Sequence, residues 1–143
     1  MNEVEILLVE DNPHDLELTM RALRKNHLAN SITTVSDGEA ALDFLFARGE
    51  YSGRDINSHP RVVFLDLKLP KIDGIEVLRK VKLDERTRTI PIVVVTGTEW
   101  NAPAGVVQVL RKPITMDVLI GAVQRAISPP DDPSGGTSRR RPL

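Results

Sequence analysis

Residues 61–74 read RVVFLDLKLPKIDG. After Arg61 come four apolar residues, Val62, Val63, Phe64 and Leu65. A run so rich in β-branched and aromatic residues predicts a strand buried on both faces. The run ends on a carboxylate, Asp66. A charge at the end of a buried strand is costly unless other groups compensate it, so the compensation is sought in the rest of the chain. Downstream, Pro70 to Gly74 marks a turn, and Ile75, Leu78 and Val81 follow at helical spacing.

The flanking sequence repeats this strand-then-helix unit. Val4 to Val9 predicts a first strand. Asn12 then reads as a helix N-cap with Pro13 at the first helical position, and Leu16, Met20 and Leu23 line one helical face. SITTVSD, Ser31 to Asp37, predicts a weaker second strand, and Ala41, Phe44 and Leu45 mark the next helix. Residues 49–60, GEYSGRDINSHP, read as a long polar loop. On the C-terminal side, IPIVVVT (Ile90 to Thr96) predicts the fourth strand and Val106 to Leu110 the fifth. A last helix presents Leu119, Ala122, Val123 and Ala126 and is capped by Thr115. Such alternation predicts an α/β fold, a parallel sheet with helices on both faces and right-handed crossovers.

The totals narrow the function. A chain of 143 residues fits one domain with a real core. Net charge is −1, which leaves no electrostatic footprint for nucleic acid or an anionic membrane. Cysteine is absent, which excludes disulfides and thiolate metal sites. No segment reads as a signal peptide or a membrane span, so a cytoplasmic location is expected. His14, His27 and His59 are scattered and read as surface residues. After Ile127 the composition turns to SPPDDPSGGTSRRRPL. This divides the chain into a domain over 1–128 and a disordered tail over 129–143, its arginines solvated.

Asp66 is not the only acid at a strand end. The first strand runs into Glu10 and Asp11. In open parallel sheets, ligands bind beyond the carboxyl ends of the strands, where the strand order reverses. With the order 2-1-3-4-5, that reversal lies between strands one and three, and Glu10, Asp11 and Asp66 converge there. Three crowded carboxylates repel and raise one another's pKa. A divalent cation resolves the conflict, and a small set of oxygen ligands suits Mg²⁺. The fourth strand brings the Thr96 hydroxyl to the same edge, and the residues after the fifth bring Lys112. Metal ion, hydroxyl and ammonium together would surround a phosphoryl group. Asp66 then reads as a carboxylate nucleophile that forms an aspartyl phosphate.

The segments ILLVEDNP, SDGEAAL, VVFLDLKLPKIDGIEVLRKVK, IPIVVVTG and VLRKP together resemble the receiver domain of bacterial two-component response regulators, over about residues 3–128. The resemblance implies a flavodoxin-like, doubly wound, five-stranded parallel sheet. It implies Asp66 as phosphoacceptor, Asp11 as a direct Mg²⁺ ligand, Glu10 as a ligand through water, and the Lys68 backbone carbonyl as a further ligand. It implies that Thr96 binds a phosphoryl oxygen and carries the conformational signal. Lys112 would pair with the phosphoryl group, and the Lys112–Pro113 bond would be cis. Within the family, ALDFLFARGEYS and LDLKLPKIDGIEVLRKVK look most like the small stand-alone regulators paired with phytochrome histidine kinases, which implies a bacteriophytochrome-type kinase as partner.

Two features depart from the family pattern. Thr96 and Lys112 are only 16 residues apart, where most receivers hold a helix. GTEWNAPAG, with Pro103 inside it, predicts a loop, so the helix that would come fourth is shortened or absent. Val109 stands where the family usually has an aromatic that swings inward as the threonine engages phosphate. Trp100 lies in the shortened segment, where it covers the gap or contacts a partner. A homodimer is expected from this apolar loop. With no output domain in the tail, the expected output is protein contact, onward phosphotransfer or drainage of phosphate from the kinase. The chain is then a phosphoacceptor and not an enzyme in the usual sense. Three rivals are weighed. A flavodoxin-type cofactor binder needs a phosphate loop after the first strand, where this chain has the acidic EDNPHD. A haloacid-dehalogenase-like phosphatase needs Asp-x-Asp, and Lys68 stands two after Asp66. A non-phosphorylated adaptor on the receiver fold is the third.

Overall fold

Side chains along a strand point alternately to opposite faces of the sheet, and that alternation sorts this core into two layers. The computed structural model describes residues 6–27, 31–97, 100, 106–112 and 114–127. Its strands are β1 (Ile6–Val9), β2 (Ile32–Val35), β3 (Val62–Asp66), β4 (Ile92–Thr96) and β5 (Val106–Arg111). All neighbours pair in parallel, in the order β2-β1-β3-β4-β5. The α-helices among the described residues are α1 (Pro13–Lys25), α2 (Gly38–Leu45), α3 (Gly74–Leu83) and α4 (Met116–Ile127). This is the expected flavodoxin-like, doubly wound sheet.

Ile6 and Leu8 of β1, Val62 and Phe64 of β3 and Val93 of β4 turn to one face. There they meet Ala22 and Leu23 of α1 and Leu119, Ala122 and Val123 of α4. Leu7, Val9, Val63, Leu65, Ile92 and Val94 turn to the other face, onto α2 and α3. Each fully buried aliphatic or aromatic side chain contributes roughly 1.5–3 kcal/mol of transfer free energy. Strands loaded on both faces, β1, β3 and β4, are therefore the part of the sheet held most firmly, and the site grows from their ends.

Helix α1 begins where the sequence places its cap. The Asn12 Oδ1 accepts the backbone N–H groups of His14 at 2.9 Å and Asp15 at 3.1 Å. Asn12→Ala is expected to lower stability by about 1 kcal/mol, read as a shift in the urea midpoint. An unchanged midpoint would show that the cap is not made in solution. The last helix is capped by Thr115, whose Oγ1 accepts the Val118 N–H at 3.3 Å.

Other boundaries differ from the sequence expectation for local reasons. The second strand stops at Val35, because Asp37 caps α2 and accepts the Ala40 N–H at 2.7 Å. The fourth strand starts at Ile92 instead of Ile90. The Ile90 N–H closes a turn on the Thr87 carbonyl at 3.0 Å, and Pro91 has no N–H to add to a ladder. The polar loop 49–60 is anchored. Gly49–Tyr51 forms a 3₁₀ turn, Tyr51 meets Phe44 edge-on at 5.1 Å, and the Arg54 guanidinium lies 3.8 Å from the centre of the same ring while donating to the Phe44 carbonyl.

Several expectations fall outside the described residues: Val4 as the start of the first strand, the Lys112–Pro113 peptide and the tail over 129–143. The shortened segment is described only at Gly97 and Trp100, so most of the stretch on which the homodimer expectation rests is outside as well. Among the described residues no helix lies between β4 and β5. Trp100 is half-buried and packs against the core on the α2/α3 face.

Candidate functional site

Continuing the alternation one residue past β1 and β5 puts Glu10 and Lys112 on the α1/α4 face with Asp66. Asp11 and Thr96 carry the opposite parity. All five lie at the carboxyl edge of the sheet, where β1 and β3 part company and the chain winds in opposite senses. There the structure brings every residue singled out from sequence into one cleft: Glu10, Asp11, Asp66, Lys68, Thr96 and Lys112, with Trp100 on its rim.

Asp66 is 6% exposed. Its Oδ1 accepts the backbone N–H of Lys68 at 3.0 Å and its Oδ2 accepts the Lys112 ammonium at 2.9 Å. Glu10 accepts the same ammonium on Oε1 at 3.2 Å and the Asn12 N–H on Oε2 at 3.1 Å. The charge that the sequence left uncompensated is thus met by Lys112. The Lys112 backbone N–H donates to the Thr96 carbonyl at 2.8 Å, which ties the segment after β5 to the end of β4.

The loop carrying Lys68 is pinned to α2. The Gly38 N–H donates to the Pro70 carbonyl at 3.3 Å. A side chain at Gly38 would put its first carbon 1.7 Å from the Ile72 carbonyl oxygen, so only glycine permits the approach. Lys71, held at φ 68°, lies 3.6 Å from Asp37 and 3.7 Å from Glu39. The segment SDGEAAL therefore works at a distance from its own helix, by holding the loop beside Asp66.

The electrostatics show a crowded anion site. The pKa of Glu10 is raised to about 7, chiefly by burial, with the Asp66 charge adding to the effect and the Asn12 N–H and Lys112 opposing it. Burial works against the Lys112 charge, yet hydrogen bonds to Asp66 and Asp15 and the charges of Asp66 and Glu10 prevail and raise its pKa. Carboxylate oxygens of Glu10, Asp11 and Asp66 all lie within 4.8 Å of one another. One lysine does not satisfy three such groups, and their oxygens are a set that could hold a hard divalent cation.

Sequence reasoning missed Asp15. Its Oδ2 accepts the Lys112 ammonium at 3.1 Å, a third carboxylate on that lysine. The signal was its place in EDNPHD, in the first turn of a helix whose cap fixes the phase. An acid there is also what any helix N-terminus favours, so its type alone did not distinguish it.

The response regulator receiver domain family matches residues 6–124, most of the chain, and the chain belongs to that family. It is 50% identical over 91 residues to a probable methanogenesis regulatory protein, FilR2, of Methanothrix harundinacea, covering 64% of this chain and 56% of that protein. It is 40% identical over 91 residues to the response regulator Rcp1 of Synechocystis sp., covering 64% of this chain and 60% of Rcp1. The matches thus span less than two thirds of both relatives. Among solved structures it resembles the bacteriophytochrome response regulator AtBRR, with a TM-score of 0.74 and 42% identity over 87% of this chain and 93% of that one. A Mn²⁺-bound form of Rcp1 is similar too, with a TM-score of 0.70 and 32% identity over 85% of this chain and 89% of that one. Among the described residues, no helix is long and apolar enough to cross a membrane.

Proposed function

We propose that this receiver domain takes a phosphoryl group from the phosphohistidine of a histidine kinase onto Asp66, with Mg²⁺ as cofactor. The observation that carries the reading is the juxtaposition at the switch point. A buried carboxylate is held by the Lys68 N–H and by Lys112, and Glu10 and Asp11 converge on it within 4.8 Å. Glu10, Asp11, Asp66 and the Lys68 carbonyl are the groups that would hold the ion, an oxygen-only set of the kind Mg²⁺ takes. When bound, Mg²⁺ supplies positive charge that offsets the carboxylates and the transferring phosphoryl oxygens.

The chain's own groups divide the remaining work. An Asp66 oxygen attacks phosphorus. The P–N bond to the kinase imidazole breaks, its electron pair stays on nitrogen and takes up a proton, and an aspartyl phosphate forms. Lys112 passes one N–H from the Asp66 carboxylate to a phosphoryl oxygen, and the Thr96 hydroxyl meets another. The chain acts on itself and turns over no separate substrate. Similarity to the bacteriophytochrome response regulator AtBRR supports a bacteriophytochrome-type kinase as donor. Val109, half-buried against the α2/α3 face, has no ring to swing. That favours an output by protein contact that does not use the usual threonine–aromatic coupling. The same observation favours the second reading, an adaptor that is never phosphorylated.

Intact mass measured after incubation with acetyl phosphate separates the two. One added phosphoryl mass, formed only with Mg²⁺ present, is the expected result. No added mass at any Mg²⁺ concentration would reject phosphoacceptor function and leave the adaptor.

A further inference from the structure

We propose that Asp15 is a positioning residue that tethers the Lys112 ammonium to the side of the nucleophile. The proposal builds on the reading of Asp66 as phosphoacceptor. An ammonium offers three N–H donors and no acceptor. Here their acceptors are Asp66 Oδ2 at 2.9 Å, Asp15 Oδ2 at 3.1 Å and Glu10 Oε1 at 3.2 Å. Glu10 and Asp66 belong to the set of converging carboxylates, and Asp15 does not. A cation held by that set engages Glu10 and Asp66, which leaves Asp15 as the carboxylate reserved for Lys112.

The tether is itself fixed. The Asp15 N–H donates to the Asn12 cap at 3.1 Å, in the first turn of α1. Behind the pair lies an apolar cavity of about 370 Å³, walled in part by Leu8, Phe64, Leu110 and Leu119 and bordered by Asp15 and Lys112. An apolar wall strengthens an ion pair beside it. Without Asp15, the ammonium would close fully onto Asp66 and Glu10. It would cover the nucleophile and occupy oxygens that the cation needs. Removing Asp15 also subtracts one negative charge from the site. Both effects weaken cation binding, but only loss of the tether slows phosphorylation once the cation is saturating.

The test uses the full chain as wild type, Asp15→Asn, Asp15→Glu, Lys112→Ala and the Asp15→Asn/Lys112→Ala double variant. Mg²⁺ affinity is read from the fluorescence of Trp100, the sole tryptophan, which lines the cleft. Adduct formation from acetyl phosphate is read by intact mass at saturating Mg²⁺. Asp15→Asn is expected to weaken Mg²⁺ binding about three- to tenfold, the size of one nearby charge in a wet site. It is expected to slow adduct formation about tenfold through misplacement of Lys112. Asp15→Glu recovers part of the rate. In the Lys112→Ala background, Asp15→Asn adds no further slowing, the signature of two residues acting as a unit. A wild-type rate in Asp15→Asn at saturating Mg²⁺, or equal slowing with and without Lys112, overturns the proposal. Glu17→Gln removes an exposed charge, paired with Arg21, from the same helix. If it weakens Mg²⁺ binding as much as Asp15→Asn does, Asp15 acts as general charge and the tether is rejected. If wild type takes no label, the phosphoacceptor reading fails. The tether is then judged by the same double-variant cycle in Mg²⁺ affinity, where strict additivity rejects it.

Discussion

Gly74→Ala is expected to unfold about 10 °C below the parent chain, from a loss of about 3 kcal/mol or more. Gly74 is the first residue of α3, and its N–H donates to the Leu67 carbonyl at 2.9 Å. A methyl group there would sit 2.3 Å from the Asp66 carbonyl oxygen and 2.6 Å from the Leu67 Cα. Both obstacles are backbone, and the first belongs to β3, which is buried along its whole length. No side chain can rotate away to make room. Either the start of α3 backs off the sheet, or the backbone after Asp66 moves. The first route breaks the Gly74–Leu67 hydrogen bond and strains the Asp73 cap, which accepts the Glu76 N–H at 3.0 Å. The second displaces the residues that flank Asp66, so any cation affinity of the Glu10, Asp11 and Asp66 cluster is expected to fall with stability. Gly53 is the natural control, since a Cβ there meets nothing within 4 Å. Gly53→Ala is expected to stay within about 0.5 kcal/mol of the parent. Equal melting temperatures for the two variants, measured by calorimetry, would show that α3 does not approach β3 this closely.

The site was legible in the sequence for a reason of topology, where this close approach was not. In a doubly wound sheet, the residue type at a strand's carboxyl end and the strand order together decide what meets at the switch point. Glu10, Asp11, Asp66, Thr96 and Lys112 could therefore be brought together from four short segments without coordinates. Lys68 entered through the family resemblance. Gly38 and Gly74 stood in quoted motifs, but their reason for being glycine is a distance to a neighbouring element, and distances between elements are not written in one chain segment. Asp15 was illegible for a different reason: an acid in a first helical turn has an adequate local explanation. The Arg54–Phe44 anchor was hidden likewise, because GEYSGRDINSHP has the composition of an ordinary loop. Only the meeting of the Arg54 guanidinium with a ring and a carbonyl of α2 makes part of it a fixed structure. The fourth strand was read two residues too long because Ile90 is apolar and as buried as Ile92, Val93 and Val94 of the strand itself, and burial does not distinguish a ladder from the turn that precedes it.

Asp66→Asn is expected to abolish the phosphoryl adduct entirely while leaving the fold intact. An amide has no anionic oxygen to attack phosphorus, and nothing else in the cleft replaces it. Glu10 holds two hydrogen bonds of its own and Asp11 is exposed at the rim. The fold survives because Asn keeps the shape of Asp, and its carbonyl oxygen still accepts the Lys68 N–H that Asp66 now takes at 3.0 Å. The amide nitrogen, in contrast, faces the Lys112 ammonium as donor against donor. Lys112 is not stranded, because Asp15 and Glu10 remain as acceptors. Two terms therefore oppose each other in stability. A charge-assisted hydrogen bond of about 1.5–3 kcal/mol is lost, and repulsion between the Asp66 charge and Glu10 is relieved, a repulsion that adds to burial in raising the Glu10 pKa. Their near cancellation predicts a melting temperature within a few degrees of the parent. Cation binding has no such compensation. One of three converging carboxylates is gone, so Mg²⁺ affinity is expected to fall about tenfold or more. Intact mass, calorimetry and Trp100 fluorescence on one preparation separate these outcomes. Retained label would move the nucleophile to another residue. A large drop in melting temperature would mean that the Asp66–Lys112 pair stabilises the fold far more than its repulsive neighbours destabilise it, and that the site is built for stability before chemistry.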